Sequence, residues 1–389
     1  LMDTSKKRIT NTRIIPSGSL KKNGIMCWRY VFYASEKDSG TEKAFFIELE
    51  MLNPGLSPAE AVLGFKQRSA VSAEDLQYAL AGTKSATELQ SENLVLPSYV
   101  CVRFGALGQK GKHISVYEPM NSVSITQKPF EAHIGTCVFS ENKLSGFISC
   151  TQKDLQTHPE YLCQEGYAEW NLDYEVIQQF DTGFEEKTEF WAPLGCRTNF
   201  SGTVSWCGTD YNVNPLTSFG YFDKYWGKSI PNPWFHISAS SLSSLISGRT
   251  MFDSSFAVHG LYGDKASLLL DFEGNRLVFN TEENKKNAEF VWDCQEVSQN
   301  EYDELHWSVS IHTKQWIVDI DIFCKITELC NKIIELPEGN RKTLSTVSSS
   351  SGNGEIKLYK VIKNSLEQVE YLRIAKAFCE FGRIEEAEN

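Results

Sequence analysis

The feature that most constrains this chain is the period of its apolar residues. Short runs rich in β-branched and aromatic side chains alternate with a period of two at 28–33, 44–51, 99–104, 133–139, 167–176, 234–239, 266–272 and 276–280, and again at 304–312, 315–324, 355–362 and 371–381. Successive side chains of a strand point to opposite faces, so the run from Trp316 to Phe323 sends Val318, Ile320 and Ile322 one way and Asp319 and Asp321 the other. Turn-forming residues separate the runs, and Glu273-Gly274-Asn275 reads as a hairpin. Strands at this spacing imply an all-β sandwich or barrel. Helical signal is confined to an insertion near 55–90. There Ser57-Pro58-Ala59-Glu60 is a capping box ahead of residues 61–65, and Ser72-Ala73-Glu74-Asp75 opens a second short helix that ends at Gly82. The Ser-rich stretch 346–354 has the composition of a flexible loop. A chain of 389 residues accommodates two domains, and the expected division is 1–195 and 196–389.

Charge removes several classes of function. The chain carries 38 Lys+Arg against 50 Asp+Glu, a formal net charge of −12. Nucleic-acid binding needs a basic face, so no nucleic-acid partner is expected, and an anionic membrane surface is disfavoured on the same ground. No window approaches the length of an apolar membrane span, and no stable membrane insertion is expected. Eleven cysteines, an odd number with no CxxC spacing, sit in strand-like runs rather than in a disulfide framework. Lys6, Lys7, Arg8 and Arg13 stand near the start without an apolar signal-peptide core. A cytoplasmic location is the expectation. There is no GxxxxGK[ST], GxGxxG, HExxH or GxSxG motif, and the seven His residues are isolated, so no cofactor and no metal are expected.

The densest chemistry lies between residues 189 and 240. It runs Glu189-Phe190-Trp191, Ser201-Gly202-Thr203-Val204-Ser205-Trp206, Tyr221-Phe222-Asp223-Lys224-Tyr225-Trp226 and Pro233-Trp234-Phe235-His236-Ile237. Packed as a core, these are ordinary aromatics with a turn-capping Asp. Arranged around a cavity, they combine a carboxyl group with aromatic walls. Apolar walls favour the protonated carboxyl, and the π faces of Trp and Tyr attract a carbocation as they attract an ammonium ion. Protonation of an alkene needs that combination.

These elements resemble the tocopherol cyclase family and the related carotenoid 1,2-hydratases. The similarity extends to Phe290-Val291-Trp292-Asp293, to Gly354-Glu355-Ile356-Lys357-Leu358-Tyr359, to Glu169-Trp170-Asn171-Leu172-Asp173-Tyr174-Glu175 and to residues 24–50. The resemblance implies two tandem lipocalin-like β domains and a hydrophobic cavity. There an alkene of a prenyl (isoprenoid) chain is protonated, and water or an internal hydroxyl captures the cation. The family's Tyr-x-Asp falls on Tyr221 and Asp223, making Asp223 the implied proton donor. Its His-x-Trp falls on Glu189-Phe190-Trp191, where Trp191 is retained and Glu189 replaces the His. Trp226, Trp234, His236, Trp170 and Tyr225 are the remaining candidates for the substrate wall.

Three readings follow. The chain is an enzyme that protonates a hydrophobic prenyl substrate before cyclisation or hydration, or a non-catalytic carrier of an apolar small molecule, or a structural protein whose aromatics are only core. Fungal Diels–Alderases share the implied architecture without needing an acid, so the fold does not fix the reaction. The expected partner is a hydrophobic small molecule.

Overall fold

The computed structural model describes residues 18–385 apart from 65, 68–72, 84, 86–93, 158–160, 181–182, 282–287, 300–301, 339–342 and 364. The alternating runs become strands: the chain is 67% strand and 6% helix, arranged as a barrel followed by a half-barrel. The first is a 13-stranded antiparallel sheet, and its order passes Lys112–Glu118, Tyr99–Ala106, Glu42–Leu52, Ile25–Glu36, Thr209–Val213, Glu189–Trp206, Gly166–Gln178 and Lys143–Cys150. Phe219–Gly227 pairs with both Ile25–Glu36 and Glu189–Trp206. The edge strand Lys112–Glu118 comes round to approach Lys143–Cys150, which closes the barrel wall.

The second sheet is 11-stranded and open. It runs from Asn275–Asn280 through Lys265–Phe272, Ser255–Leu261, Trp234–Ala239, Ser365–Glu385, Thr343–Ile362, Trp316–Lys325 and Tyr302–Thr313 to Ala288–Gln299. The chain changes sheet at residues 228–233. The seam expected at 195 therefore falls inside Glu189–Trp206, and residues 196–227 pair within the first sheet. Strand and turn signals alone do not report which sheet a strand joins.

Three cores follow from this arrangement. One fills the barrel, with Trp28, Tyr30, Phe32, Phe45, Phe104 and Trp170 among its rings. A second lies within the half-barrel around Trp307. The third lies between the two sheets and takes the outward face of the barrel strands. Strands such as Ile25–Glu36 and Glu42–Leu52 are thus buried on both faces.

Two local expectations need correction. Residues 57–64 form no helix: Ser57 has φ 40° instead of an extended N-cap geometry, Val62 bridges Ser98, and Glu335 takes the Gly64 N–H. The second helix does form, at Ala73–Leu80, with Gly82 beyond it at φ 66°. The Ser-rich stretch 346–354 is part of the long strand Thr343–Ile362. Small hydroxyl side chains suit it: Ser348 and Ser349 are buried and hydrogen-bonded there, Ser348 to Glu380 at 2.7 Å and Ser349 to Cys324 at 3.0 Å. The hairpin at Glu273-Gly274 forms with both residues at positive φ, 48° and 85°. Among the described residues no helix is long and apolar enough to cross a membrane.

Candidate active site

Period two sorts the barrel strands into two chemical faces. Along Ile25–Glu36, Met26, Trp28, Tyr30 and Phe32 enter the barrel, while Ile25 and Val31 join the core between the sheets and Cys27 and Arg29 line a cavity there. Along Phe219–Gly227, Phe222 and Trp226 enter the barrel and Tyr221, Asp223 and Tyr225 face the second sheet. Antiparallel register then places Asp223, Arg29, Glu48 and Arg103 directly opposite one another on four consecutive strands. Strands lie roughly 4.8 Å apart, so this is a row of alternating charges across the sheet.

The half-barrel completes the row. Arg29 donates from Nη2 to Asp223 Oδ2 at 2.6 Å and pairs through Nη1 with Glu380. Lys332 Nζ donates to Glu48 Oε1 at 2.5 Å and to Glu380 Oε1 at 3.0 Å. Arg103 Nη1 donates to Glu48 Oε2 at 2.7 Å and lies 3.6 Å from Glu50 Oε2. All seven side chains are buried. The network sets three cations (Arg29, Arg103 and Lys332) against four carboxyl groups (Asp223, Glu48, Glu50 and Glu380).

The surplus carboxyl is Glu50. Burial opposes the charge of Glu48, but Lys332 and Arg103 hold its pKa down at about 2. For Glu50 burial wins: its pKa is raised despite Arg103, and Glu48 adds a like charge. Tyr99 donates to Glu50 Oε1 at 3.1 Å, while Oε2 is buried without a hydrogen-bond partner among the described residues.

An aromatic wall surrounds the Asp223 end. Trp191 Nε1 and Tyr221 OH each donate to Asp223 Oδ2 at 3.0 Å. His259 stacks on Trp191 with ring centroids 4.9 Å apart, and His236 lies 4.8 Å from Tyr221. Burial, then the Arg29 charge, push both imidazoles well below their ordinary range, so they are neutral. Trp234 reaches His259 at 5.7 Å; its indole passes over Gly382, where a Cβ would stand 2.0 Å from Nε1.

Two cavities open along this groove between the sheets. One of about 60 Å³ is lined by Arg29, Asp223, Glu48, Glu50, Lys332, Tyr225, Trp234 and His259. The other, of about 190 Å³, is lined by Val31, Tyr221, Phe219, Phe378, Met251, Cys196 and Arg197. Val31 and Tyr221 each stand two residues from Arg29 and Asp223, so the cavities follow each other along the strands at a separation of roughly 7 Å. Among the described residues no group of three or more His, Cys, Asp or Glu could hold a metal ion.

No family model matches the chain, and no curated protein matches it. Among solved structures it is similar to an AttH protein of Nitrosomonas europaea, with a TM-score of 0.44 and 12% identity over 92% of this chain and 91% of that one. It is also similar to kievitone hydratase from Nectria haematococca, with a TM-score of 0.43 and 13% identity over 96% and 94% of the two chains. Neither likeness bears on chemistry.

Of the residues singled out on sequence, Asp223, Tyr221, Trp191, Tyr225, Trp234 and His236 converge on the groove. Glu189 stands at its edge, tied to Lys265 at 2.9 Å and to Tyr225 at 3.3 Å; burial raises its pKa against these contacts. Trp226 and Trp170 do not join them. Both point into the barrel, where Trp226 stacks on Phe190 at 5.6 Å and Trp170 on Phe104 at 5.2 Å. Trp226 directly follows Tyr225, so strand geometry sends it to the opposite face. The acid role implied for Asp223 also meets an obstacle. Its Oδ2 accepts three donors at once, one of them a guanidinium, and is thereby occupied as an acceptor rather than placed to hand over a proton. Arg29, Glu48, Glu50, Arg103, His259, Lys332 and Glu380 were not anticipated.

Proposed function

We propose that this protein is an enzyme that adds water, or a hydroxyl of the substrate itself, across a carbon–carbon double bond of an apolar, isoprenoid-like substrate. The observation that carries this reading is the surplus carboxyl. A buried network with one more acid than cations, set against an aromatic wall and lining a cavity, is poor material for stability and good material for proton transfer.

Glu50 is the proton donor in this reading. Its O–H bond breaks as the π pair of the alkene forms a new C–H bond, leaving a cation on the neighbouring carbon. The rings of Trp234, Tyr225 and His259 and the carboxylate of Asp223, all lining the same cavity, face that cation. Oxygen attack forms the C–O bond, and the proton it releases returns to Glu50. Asp223 keeps its place at the centre as a hydrogen-bond acceptor, with Tyr221, Trp191 and Arg29 fixing its orientation.

The test is turnover of prenylated phenols in ¹⁸O-labelled water, followed by mass spectrometry for a labelled hydrate or an unlabelled cyclic isomer. Glu50→Gln keeps the shape and the contact with Tyr99 and removes the transferable proton. Turnover is expected to fall by about 10²–10⁴ while ligand affinity holds. Undiminished turnover in Glu50→Gln would eliminate the mechanism, and tight binding without any turnover in the wild type would make the protein a carrier.

A further inference from the structure

Arg197 occupies an unusual position in the larger cavity. In Glu189–Trp206 the register with Phe219–Gly227 runs Gly195↔Phe222 and then Thr198↔Gly220, so Cys196 and Arg197 together oppose Tyr221. This bulge lets two consecutive side chains line one cavity, which a regular strand forbids. Gly220 accommodates the distortion: a Cβ there would lie 1.9 Å from the Val31 carbonyl oxygen.

The guanidinium so aimed is only 7% exposed and has no carboxylate partner among the described residues, where its Nε and Nη1 make no hydrogen bond. It lies over the Phe219 ring at 4.2 Å. Burial lowers its pKa, with Asp253 opposing from the surface. Lys376, the other cation of this cavity, is already paired with Glu42. A buried cation without an anion is costly, and folded proteins rarely retain one without a purpose.

We propose that the larger cavity binds a ligand whose apolar body carries a carboxylate, and that Arg197 is the residue that reads it. The cavity supplies Tyr221, Phe378 and Met251 for the apolar body, and Arg197 supplies the planar fork that suits a carboxylate. The inference rests on the groove being a ligand site, as proposed above, and not on the reaction there.

Calorimetric titration of the full chain with geraniol and with geranate tests it, because the two differ only at the head group. Geranate is expected to bind at least about tenfold more tightly. Arg197→Met retains an apolar stem against Phe219; it should erase that preference and leave geraniol binding unchanged. Equal affinities in the wild type, or a preference that survives in Arg197→Met, would overturn the proposal. The ligand-free melting temperature decides if neither probe binds. Loss of an unpaired buried charge should raise it by about 2–4 °C, whereas an unchanged or lower value in Arg197→Met makes Arg197 structural and the proposal wrong. Neither readout needs turnover, so intact activity in Glu50→Gln would leave this inference standing.

Discussion

The two faces of the same barrel strands have opposite characters. Inward, Ile25–Glu36 presents Met26, Trp28, Tyr30 and Phe32 to an interior filled with stacked rings, such as Tyr30 on Phe222 at 4.4 Å. Outward, it presents Cys27, Arg29 and Val31 to a groove that holds an ion network and two cavities. The usual place for a ligand in a barrel is its interior. Here that space is packed, and the chemically equipped surface is the outside wall covered by the second sheet. One strand therefore contributes to stability with its even positions and to the site with its odd ones.

The strongest test of this division is Trp28→Ala. Trp28 is 1% exposed, stacks on Phe130 at 4.5 Å and carries Lys224 over its ring at 4.3 Å. Removing it should cost about 3–5 kcal/mol in urea unfolding, through lost burial and the void left behind. Protein that still folds should bind apolar ligands as the wild type does. Loss of binding in a folded Trp28→Ala protein would show that the faces are not separable.

Within the groove, Glu48 and Glu50 are two residues apart and should respond to pH in opposite directions. The folded pKa of Glu48, about 2, lies below its unfolded value, so its contribution to stability is present above roughly pH 4.5 and is lost as pH falls toward 2. Glu50 is raised by burial, so its contribution is present below the unfolded carboxyl value and is lost as pH rises through the folded one. The groups facing Glu50 are Arg103, Glu48, Lys332, Tyr99 and Tyr117, together with Cys27 and Cys101. Glu48→Gln should flatten the acid limb of the stability profile, an effect on the order of 2–3 kcal/mol. Glu50→Gln should leave that limb in place and reduce the loss at higher pH. Identical profiles for the two variants would contradict the assignment of the surplus proton.

The sequence made the all-β fold and the Tyr221–Asp223–Trp191 centre legible, because alternation reports strands and one segment concentrates the aromatics. It did not make the faces legible. Trp226 and Tyr225 are neighbours in the sequence and were grouped together, yet they lie on opposite sides of a sheet. The ion network had a faint signal. Residues 44–47 are apolar at odd and even positions alike, which marks a strand buried on both sides, and Glu48 and Glu50 follow on the same strand. A charge inside such a run, as at Glu48 and Glu50, must find a partner. Which partner depends on register across four strands and on Lys332 and Glu380, more than 280 residues away from Glu48 in the case of Lys332. Long-range pairing of that kind is not written in local pattern.

The smallest and sharpest test sets Tyr225 against Trp226. Trp226→Phe keeps an aromatic ring in the barrel and should retain part of the stack on Phe190, which is parallel within 2°. It should cost about 1–2 kcal/mol of stability and leave ligand affinity and turnover unchanged. Tyr225→Phe removes only a hydroxyl. That hydroxyl shares its one proton between Glu189 Oε1 at 3.3 Å and the Ser229 carbonyl at 3.0 Å, on the rim of the smaller cavity. Stability should change by about 1 kcal/mol or less. Ligand affinity or turnover should change instead, because the ring that faces the cavity loses the contacts that fix its angle. If both substitutions altered stability alone, the outward face would be a second core and the groove only a seam between two sheets. If Trp226→Phe altered turnover with stability intact, the ligand would reach the barrel interior after all.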